Sequence, residues 1–273
     1  MKSNTKRGFL YFVTAASVFL CAGPVWAVIV ATGSAKITNI QYGLVNPDAG
    51  TINWYYDDGL GGPAWQGEAW VETSDFQGSA DDYYNSTPDG SGLIEAEAAT
   101  PLAWGWAWLN IATEELYGQS ETYAPPGGWS LAAECAMMYD YFNIVPTDLF
   151  NIDPIEMTFS FDYEIHLTGQ AEPGAGYYSD AMVNMLLGHE NGAGDWQLVP
   201  DGQSSLVKDI SGTGTDSDDV TFIGQLQMTI CLESYVNYSI TYETELNEEV
   251  VPEPAALLLF GLGGLALLIK RKT

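Results

Sequence analysis

Three tryptophans at alternate positions are the residues whose type and spacing most clearly suggest ligand binding. Trp104, Trp106 and Trp108 are separated by Gly105 and Ala107, and in a β-strand this alternation places all three indoles on one face. An exposed row of indoles can stack on the apolar faces of sugar rings. The alternative is a row buried in the core, which Gly105 and Ala107 favour because they would make a poor solvent-facing side. We therefore expect core packing, with sugar stacking as the alternative.

A cluster of carboxylates offers a second binding chemistry. Asp216, Asp218 and Asp219 follow a glycine-rich turn, and carboxylate oxygens on a loop suit Ca²⁺. Their spacing does not match the EF-hand loop, which needs a glycine at its sixth position. We expect no cofactor, and Ca²⁺ bound by these three aspartates remains the alternative.

The cysteines allow one disulfide. Cys21 lies in the N-terminal segment described below, so an exported protein would retain only Cys135 and Cys231. Two thiols in an oxidising compartment can form one bridge, and two free thiols are the alternative. Neither cysteine has a second cysteine or a histidine close to it in sequence, which argues against a zinc site.

Residues suited to catalysis are sparse. The chain has two histidines, His166 and His189, and it lacks the sequence motifs of a serine hydrolase, a zinc protease or a phosphate-binding loop. A glycosidase needs only two suitably placed carboxylates, and a chain with 36 acidic residues neither reveals nor excludes such a pair. We expect a non-enzymatic protein, with a polysaccharide hydrolase as an alternative.

The charge of the chain is strongly one-sided. Of its 36 acidic residues, 35 lie between residues 28 and 251, where only Lys36 and Lys208 are basic. The net charge of that segment is therefore 2 − 35 = −33. A surface of this sign repels phosphate groups and anionic lipids, which argues against nucleic acid and anionic lipid as partners. The same surface would attract divalent cations.

Hydrophobic alternation predicts an all-β fold. Residues 155–167 alternate between apolar and polar without a break, and residues 220–246 do so on even positions, with a bend expected at Glu233 and Ser234. Residues 130–141 fit either a strand or a short helix, and a strand is favoured. Further strands are expected at residues 51–56, 69–73, 104–111 and 181–187. With turn sequences between them, these strands predict an antiparallel, jelly-roll-like β-sandwich.

The N-terminus has the features of a secretion signal. Lys2, Lys6 and Arg7 precede an apolar stretch, and a small–x–small sequence ends at Ala27. We expect a Sec-type export machinery to translocate the chain, and residues 1–27 to be removed by cleavage after Ala27. The sandwich is expected to occupy residues 28–246, followed by an acidic linker at residues 247–251.

The C-terminus combines three features in a fixed order. They are the acidic proline motif Pro252, Glu253 and Pro254, the uncharged apolar run of residues 255–269, and the basic residues Lys270, Arg271 and Lys272. The apolar run predicts a transmembrane helix about 22 Å long, with the basic residues on the cytoplasmic side as a membrane stop. Proline on both sides favours an extended and accessible conformation for Glu253.

Residues 252–273 resemble a PEP-CTERM sorting signal, and the resemblance covers only this part of the chain. It implies recognition by the membrane enzyme exosortase, cleavage near the motif and loss of the tail. It also implies delivery from a tethered inner-membrane precursor to the cell surface or an exopolysaccharide matrix. A plain C-terminal membrane anchor is the alternative.

Together these features predict an exported surface or matrix protein. Its expected role is that of a structural or adhesive component of exopolysaccharide or biofilm. One alternative is a carbohydrate-binding module that uses the tryptophans, and a second is the polysaccharide hydrolase.

Overall fold

The computed structural model describes residues 29–55, 65–86, 92–125, 128–150, 153–172, 175–191 and 195–252. Within these ranges the chain is almost entirely β-strand, with a short 3₁₀ helix at Pro47–Ala49. The strands are β1 (Ile29–Leu44), β2 (Gly50–Trp54), β3 (Gln66–Asp75), β4 (Gly78–Ser86), β5 (Leu93–Ala99), β6 (Ala103–Asn110), β7 (Glu115–Ala124), β8 (Ser130–Pro146), β9 (Ile155–Gln170), β10 (Ala175–Glu190), β11 (Trp196–Thr213), β12 (Ser217–Leu232) and β13 (Tyr238–Pro252).

The strands form two antiparallel sheets that face each other. Sheet A has the order β12-β9-β1-β7-β6-β5, and sheet B has the order β11-β10-β13-β8-β3-β4, with β2 paired to β8. Strands at matching places in the two orders contact each other across the interior, for example β1 with β13 and β7 with β8. The predicted all-β antiparallel sandwich is therefore confirmed.

Two of the predicted membrane-related segments lie outside the described residues. They are the signal peptide at residues 1–27 and the transmembrane helix at residues 255–269. Within the described ranges, no helix has the length and the apolar character needed to cross a membrane.

The core follows the alternation seen in the sequence. In β9, Met157, Phe159 and Ile165 have no exposed surface, whereas Glu156 and Glu164 on the other face reach the solvent. This is the expected behaviour of a strand with one buried face, because successive side chains point to opposite sides of the sheet.

The long alternating segment at residues 220–246 does break where a bend was expected. β12 ends at Leu232 in sheet A, and β13 begins at Tyr238 in sheet B. The break is therefore a crossing from one sheet to the other. Residues 130–141, which fitted either a strand or a helix, form part of β8.

Residues 247–251 do not form a linker, so this prediction is wrong. They belong to β13, which pairs with β10 and with β8 and continues as far as Pro252. Leu246, Glu248 and Val250 are fully buried on its inner face, so the alternation continues through the acidic residues. The folded domain therefore reaches the first residue of the Pro-Glu-Pro sequence without a spacer.

Two glutamates lie inside the sandwich. Glu134 in β8 and Glu248 in β13 have no exposed surface. Glycines in sheet A make room for them: a side chain at Gly118 would collide with the carboxyl group of Glu134, and one at Gly33 with that of Glu248. Among the described residues, the carboxyl oxygens of Glu134 have no hydrogen-bond partner.

Burial raises the pKa of both carboxyl groups well above the ordinary range of glutamate. At Glu134 the nearby carboxyl of Glu248 raises the pKa further. At Glu248 the hydroxyls of Ser179 and Ser120 partly oppose the effect of burial on the pKa. Both groups therefore keep their protons at pH values where exposed glutamates are ionised.

Candidate functional site

The three tryptophans lie on the outer face of sheet A. In β6 the exposure alternates, with Trp104, Trp106 and Trp108 half-buried and Gly105 and Ala107 facing the interior. Ala107 has no exposed surface. The expectation of core packing is therefore wrong, and the outward-facing row is the arrangement found.

The small residues of β6 face inward because the two sheets approach closely at β6 and β3. A Cβ atom added at Gly105 would lie 2.5 Å from Cγ1 of Val71 in sheet B. An indole cannot fit into such a space, because protein interiors are packed without spare volume. The lack of room between the sheets therefore directs the tryptophans to the opposite face.

We expect Gly105→Ala to lower the free energy of unfolding by about 1–3 kcal/mol, the usual cost of overpacking a filled core. The added methyl group would press on the branched side chain of Val71. Gly43→Ala in β1 is the matched control, because a Cβ atom there meets no heavy atom within 4 Å. Urea unfolding compares the two variants. If Gly105→Ala is as stable as Gly43→Ala, the two sheets can move apart at this point without loss of free energy of unfolding.

Trp106, Trp108 and Tyr117 form a continuous aromatic surface. The ring centroids are 6.1 Å apart for the two tryptophans, 5.9 Å for Trp106 and Tyr117, and 5.7 Å for Trp108 and Tyr117. Trp104 extends the row, and its Nε1 donates a hydrogen bond to Oε1 of Glu97 at 2.9 Å. We call Trp104, Trp106, Trp108 and Tyr117 the aromatic platform.

Polar side chains continue across sheet A on the same outer face. The strand register aligns them with the tryptophans in three rows: Gln119, Ser34 and His166 with Trp106; Lys36 and Glu164 with Trp108; Glu121, Thr32 and Thr168 with Trp104. The hydroxyls of Thr32 and Thr168 are 2.6 Å apart and share a hydrogen bond. Lys36 Nζ lies 3.4 Å from Oε1 of Glu115. These groups place hydrogen-bond donors and acceptors beside the aromatic platform on the same face of the sheet.

Tyr117 and Gln119 were not identified from the sequence. Tyr117 Oη donates a hydrogen bond to Oε1 of Gln119 at 3.2 Å. Burial raises the pKa of Tyr117, so its hydroxyl stays protonated. In the sequence, the alternation of residues 115–124 predicts a strand with Tyr117 and Gln119 on one face. It does not predict that this strand pairs with β6, which is what brings the two side chains beside the tryptophans.

The three aspartates considered for Ca²⁺ do not converge. Asp218 Oδ2 accepts a hydrogen bond from Tyr177 Oη at 2.6 Å, and Asp219 Oδ1 lies 2.8 Å from His166 Nε2. Asp216 Oδ2 accepts the backbone N–H of Thr213 at 3.0 Å. In the part of the chain that the structure describes, no three metal-binding side chains come together. The cluster in the sequence is therefore not a cluster in space.

The two cysteines are free, so the possible disulfide between Cys135 and Cys231 is not formed. Cys135 is buried in β8 of sheet B, and Cys231 is exposed in β12 of sheet A. The Cys135 thiol donates to Oε1 of Glu243 at 3.5 Å, and burial together with Glu243 raises its pKa. The two thiols lie on different sheets, and Cys231 faces solvent, so their sulfur atoms cannot approach each other closely enough to form a disulfide.

The end of β13 coincides with the start of a known signal. A family model described as the PEP-CTERM protein-sorting motif matches residues 250–272. The chain carries a PEP-CTERM sorting motif. The PEP-CTERM match confirms the resemblance seen at the C-terminus, and it marks an exported protein that exosortase processes after transient anchoring at the membrane.

The PEP-CTERM motif overlaps the folded domain by three residues. Residues 250–252 belong to β13, whereas Glu253, Pro254 and the basic residues Lys270, Arg271 and Lys272 lie outside the described residues. The sorting motif therefore begins within the last strand of the sandwich.

No curated protein matches this sequence. Among solved structures, a vicilin from Solanum melongena is similar at 8% sequence identity over 81% of this chain and 73% of the vicilin, with a TM-score of 0.13. A score this low supports no inference about fold or function.

Proposed function

We propose that this PEP-CTERM protein is a non-enzymatic component of the cell surface or extracellular matrix that adheres to exopolysaccharide through its aromatic platform. The sorting motif supports export and processing by exosortase. A Sec-type export route, final delivery to the matrix and a role in biofilm belong to the proposal.

The outward position of the tryptophan row is the observation that carries this proposal. Trp104, Trp106 and Trp108 are partly exposed on an open sheet face, although each could bury a large apolar surface. Side chains two residues apart in a strand are separated by roughly 6.6 Å, so the row is a linear platform. A linear row suits a polymer, because successive sugars can stack on successive rings.

The charge around the platform selects the kind of polymer. Glu95 and Glu97 lie beside Trp108 and Trp106 in the sheet, and Glu121 lies beside Trp104. These carboxylates would repel polysaccharides that carry uronate or sulfate groups. The expected ligand is therefore a neutral or amino-sugar polymer.

We assign no catalytic step to this face. Glu97 is already bonded to Nε1 of Trp104, and the other carboxylates stand on an open sheet from which water is not excluded. Hydrolysis of a glycoside needs an acid and a base on either side of one bond, and a flat platform supports adhesion better than this arrangement.

A glycan array tests the proposal with mature protein recovered from the producing cells. We expect binding to neutral glycans that falls by at least about 100-fold when Trp104, Trp106 and Trp108 are all changed to alanine, since buried aromatic anchors contribute about 2 kcal/mol or more each. Phe150→Ala is the matched control, because Phe150 is an exposed aromatic residue in a loop. Unchanged binding by the triple variant would exclude the platform as the binding site.

A further inference from the structure

A second aromatic cluster lies on the outer face of sheet B, on the side of the sandwich opposite to the aromatic platform. The ring centroids of Tyr141 in β8 and Trp196 in β11 are 5.1 Å apart, and Tyr139 lies 6.1 Å from Tyr141. Trp196 is 46% exposed, and the two tyrosines are half-buried. We call Tyr139, Tyr141 and Trp196 the second aromatic cluster.

Small residues create the space that this cluster occupies. The register places Ser239 of β13 and Gly188 of β10 between Tyr141 and β11. A Cβ atom added at Gly188 would lie 2.7 Å from Oγ of Ser239 and 3.7 Å from Cε3 of Trp196. The indole therefore crosses over the glycine to reach Tyr141, and the remainder of its surface stays in contact with water.

The chemistry around the second cluster resembles that of the platform. Tyr139 Oη donates to Oε1 of Glu68 at 3.4 Å, and burial, followed by the charge of Glu68, raises the pKa of Tyr139 to about 12. Lys36 and Lys208 are the basic residues of the described ranges. Lys36 lies on sheet A. Lys208 belongs to β11 of sheet B, but its Nζ lies 4.9 Å from the ring of Phe222 on β12 of sheet A. This face therefore combines exposed rings with negative charge, which disfavours anionic polymers.

We propose that the second aromatic cluster is a second site for neutral polysaccharide, so that one molecule bridges two polymer chains. This inference rests on the proposed function of the platform. The two sites lie on the outer faces of opposed sheets, so they point in opposite directions and cannot engage the same straight segment of polymer. Bridging would cross-link the matrix and would strengthen attachment through multivalency.

Binding stoichiometry tests the proposal on mature protein from the producing cells. The probes are the purified exopolysaccharide of those cells and short oligosaccharides released from it by mild acid. Isothermal titration should give two oligosaccharides per protein for the unchanged chain. We expect one for Trp196→Ala, one for the Trp106→Ala/Trp108→Ala double variant, and none for all three changes combined. Tyr141→Ala repeats the test at a second position, and circular dichroism checks that each variant is folded.

Cross-linking gives an independent readout. The unchanged protein should raise the viscosity of the exopolysaccharide solution, and either set of changes should abolish the rise while leaving one site occupied. One oligosaccharide per protein, unaffected by Trp196→Ala and Tyr141→Ala, would overturn the second site and leave the proposed function intact. Absence of binding by the unchanged protein would instead overturn the proposed function.

Discussion

At pH 7 and above, the Glu134→Gln variant should unfold at a higher temperature than the unchanged protein, whereas at pH 4.5 the two should unfold at the same temperature. Glu134 lies between the sheets with no exposed surface, close to the equally buried Glu248. Glutamine has almost the same shape but carries no ionisable proton. The replacement therefore removes the energetic effect of ionisation and leaves the packing nearly unchanged.

The direction of this pH effect follows from the raised pKa of Glu134. The folded protein holds a proton that the unfolded chain releases above the ordinary glutamate pKa of about 4.3. Unfolding is thus favoured as the pH rises from that value towards the pKa in the folded protein. Each pH unit in this window lowers the free energy of unfolding by about 1.4 kcal/mol per carboxyl group. The same reasoning applies to Glu248, whose pKa is also raised.

Thermal melts from pH 4.5 to pH 8 measure this effect. We expect Glu134→Gln and Glu248→Gln each to unfold at a higher temperature than the unchanged protein at pH 7, with a gain that grows by about 1.4 kcal/mol for each pH unit between the unfolded and the folded pKa. Glu72→Gln on the exposed face of β3 is the matched control and should change nothing. A pH profile of Glu134→Gln that runs parallel to that of the unchanged protein would show that the buried carboxyl is not protonated in the fold.

Glu253→Ala and Pro254→Ala should each prevent maturation completely, so that the protein keeps its C-terminal tail and stays in the membrane fraction. Both residues belong to the PEP-CTERM motif at residues 250–272. Either change alters the acidic proline sequence within the matched motif, so we expect the processing enzyme to fail to recognise it. Because β13 continues to Pro252, the folded domain supplies no flexible spacer that could compensate for a damaged motif.

Intact-mass measurement of membrane and secreted fractions tests this prediction. Glu249→Ala is the matched control, because Glu249 is a glutamate in β13 just before the matched residues, and this variant should mature normally. If both motif variants are also trimmed and released, the C-terminal segment acts in some way other than as an exosortase signal. The same spectrum reports whether residues 1–27 have been removed after Ala27.

Strand positions and the C-terminal sorting motif were predictable because local sequence determines them. Alternation in β9 and β12 specifies two faces, and the sorting motif is recognised by a short contiguous sequence. The acidic end of β13 reads as a linker in the sequence because charged residues are usually exposed, yet it continues the strand. Of the neighbouring residues Glu248 and Glu249, only Glu249 faces outward. Glu248 is buried, and its carboxyl group lies against Gly33 of the opposite sheet.

By itself, the sequence determined that the chain is exported, that it forms a sandwich of antiparallel strands, and that its three neighbouring tryptophans share one face. It could not determine which face of β6 is buried, because alternating side chains define two faces of a strand but do not show which of them packs against the other sheet. The tertiary structure decided this: sheet B approaches so closely that only Gly105 and Ala107 fit between the sheets. The pairing of Trp106 with Tyr117, of Tyr141 with Trp196 and of Glu134 with Glu248 depended in the same way on strands that are distant in sequence. Such contacts arise from the order of strands in the sheets, and no local pattern encodes that order.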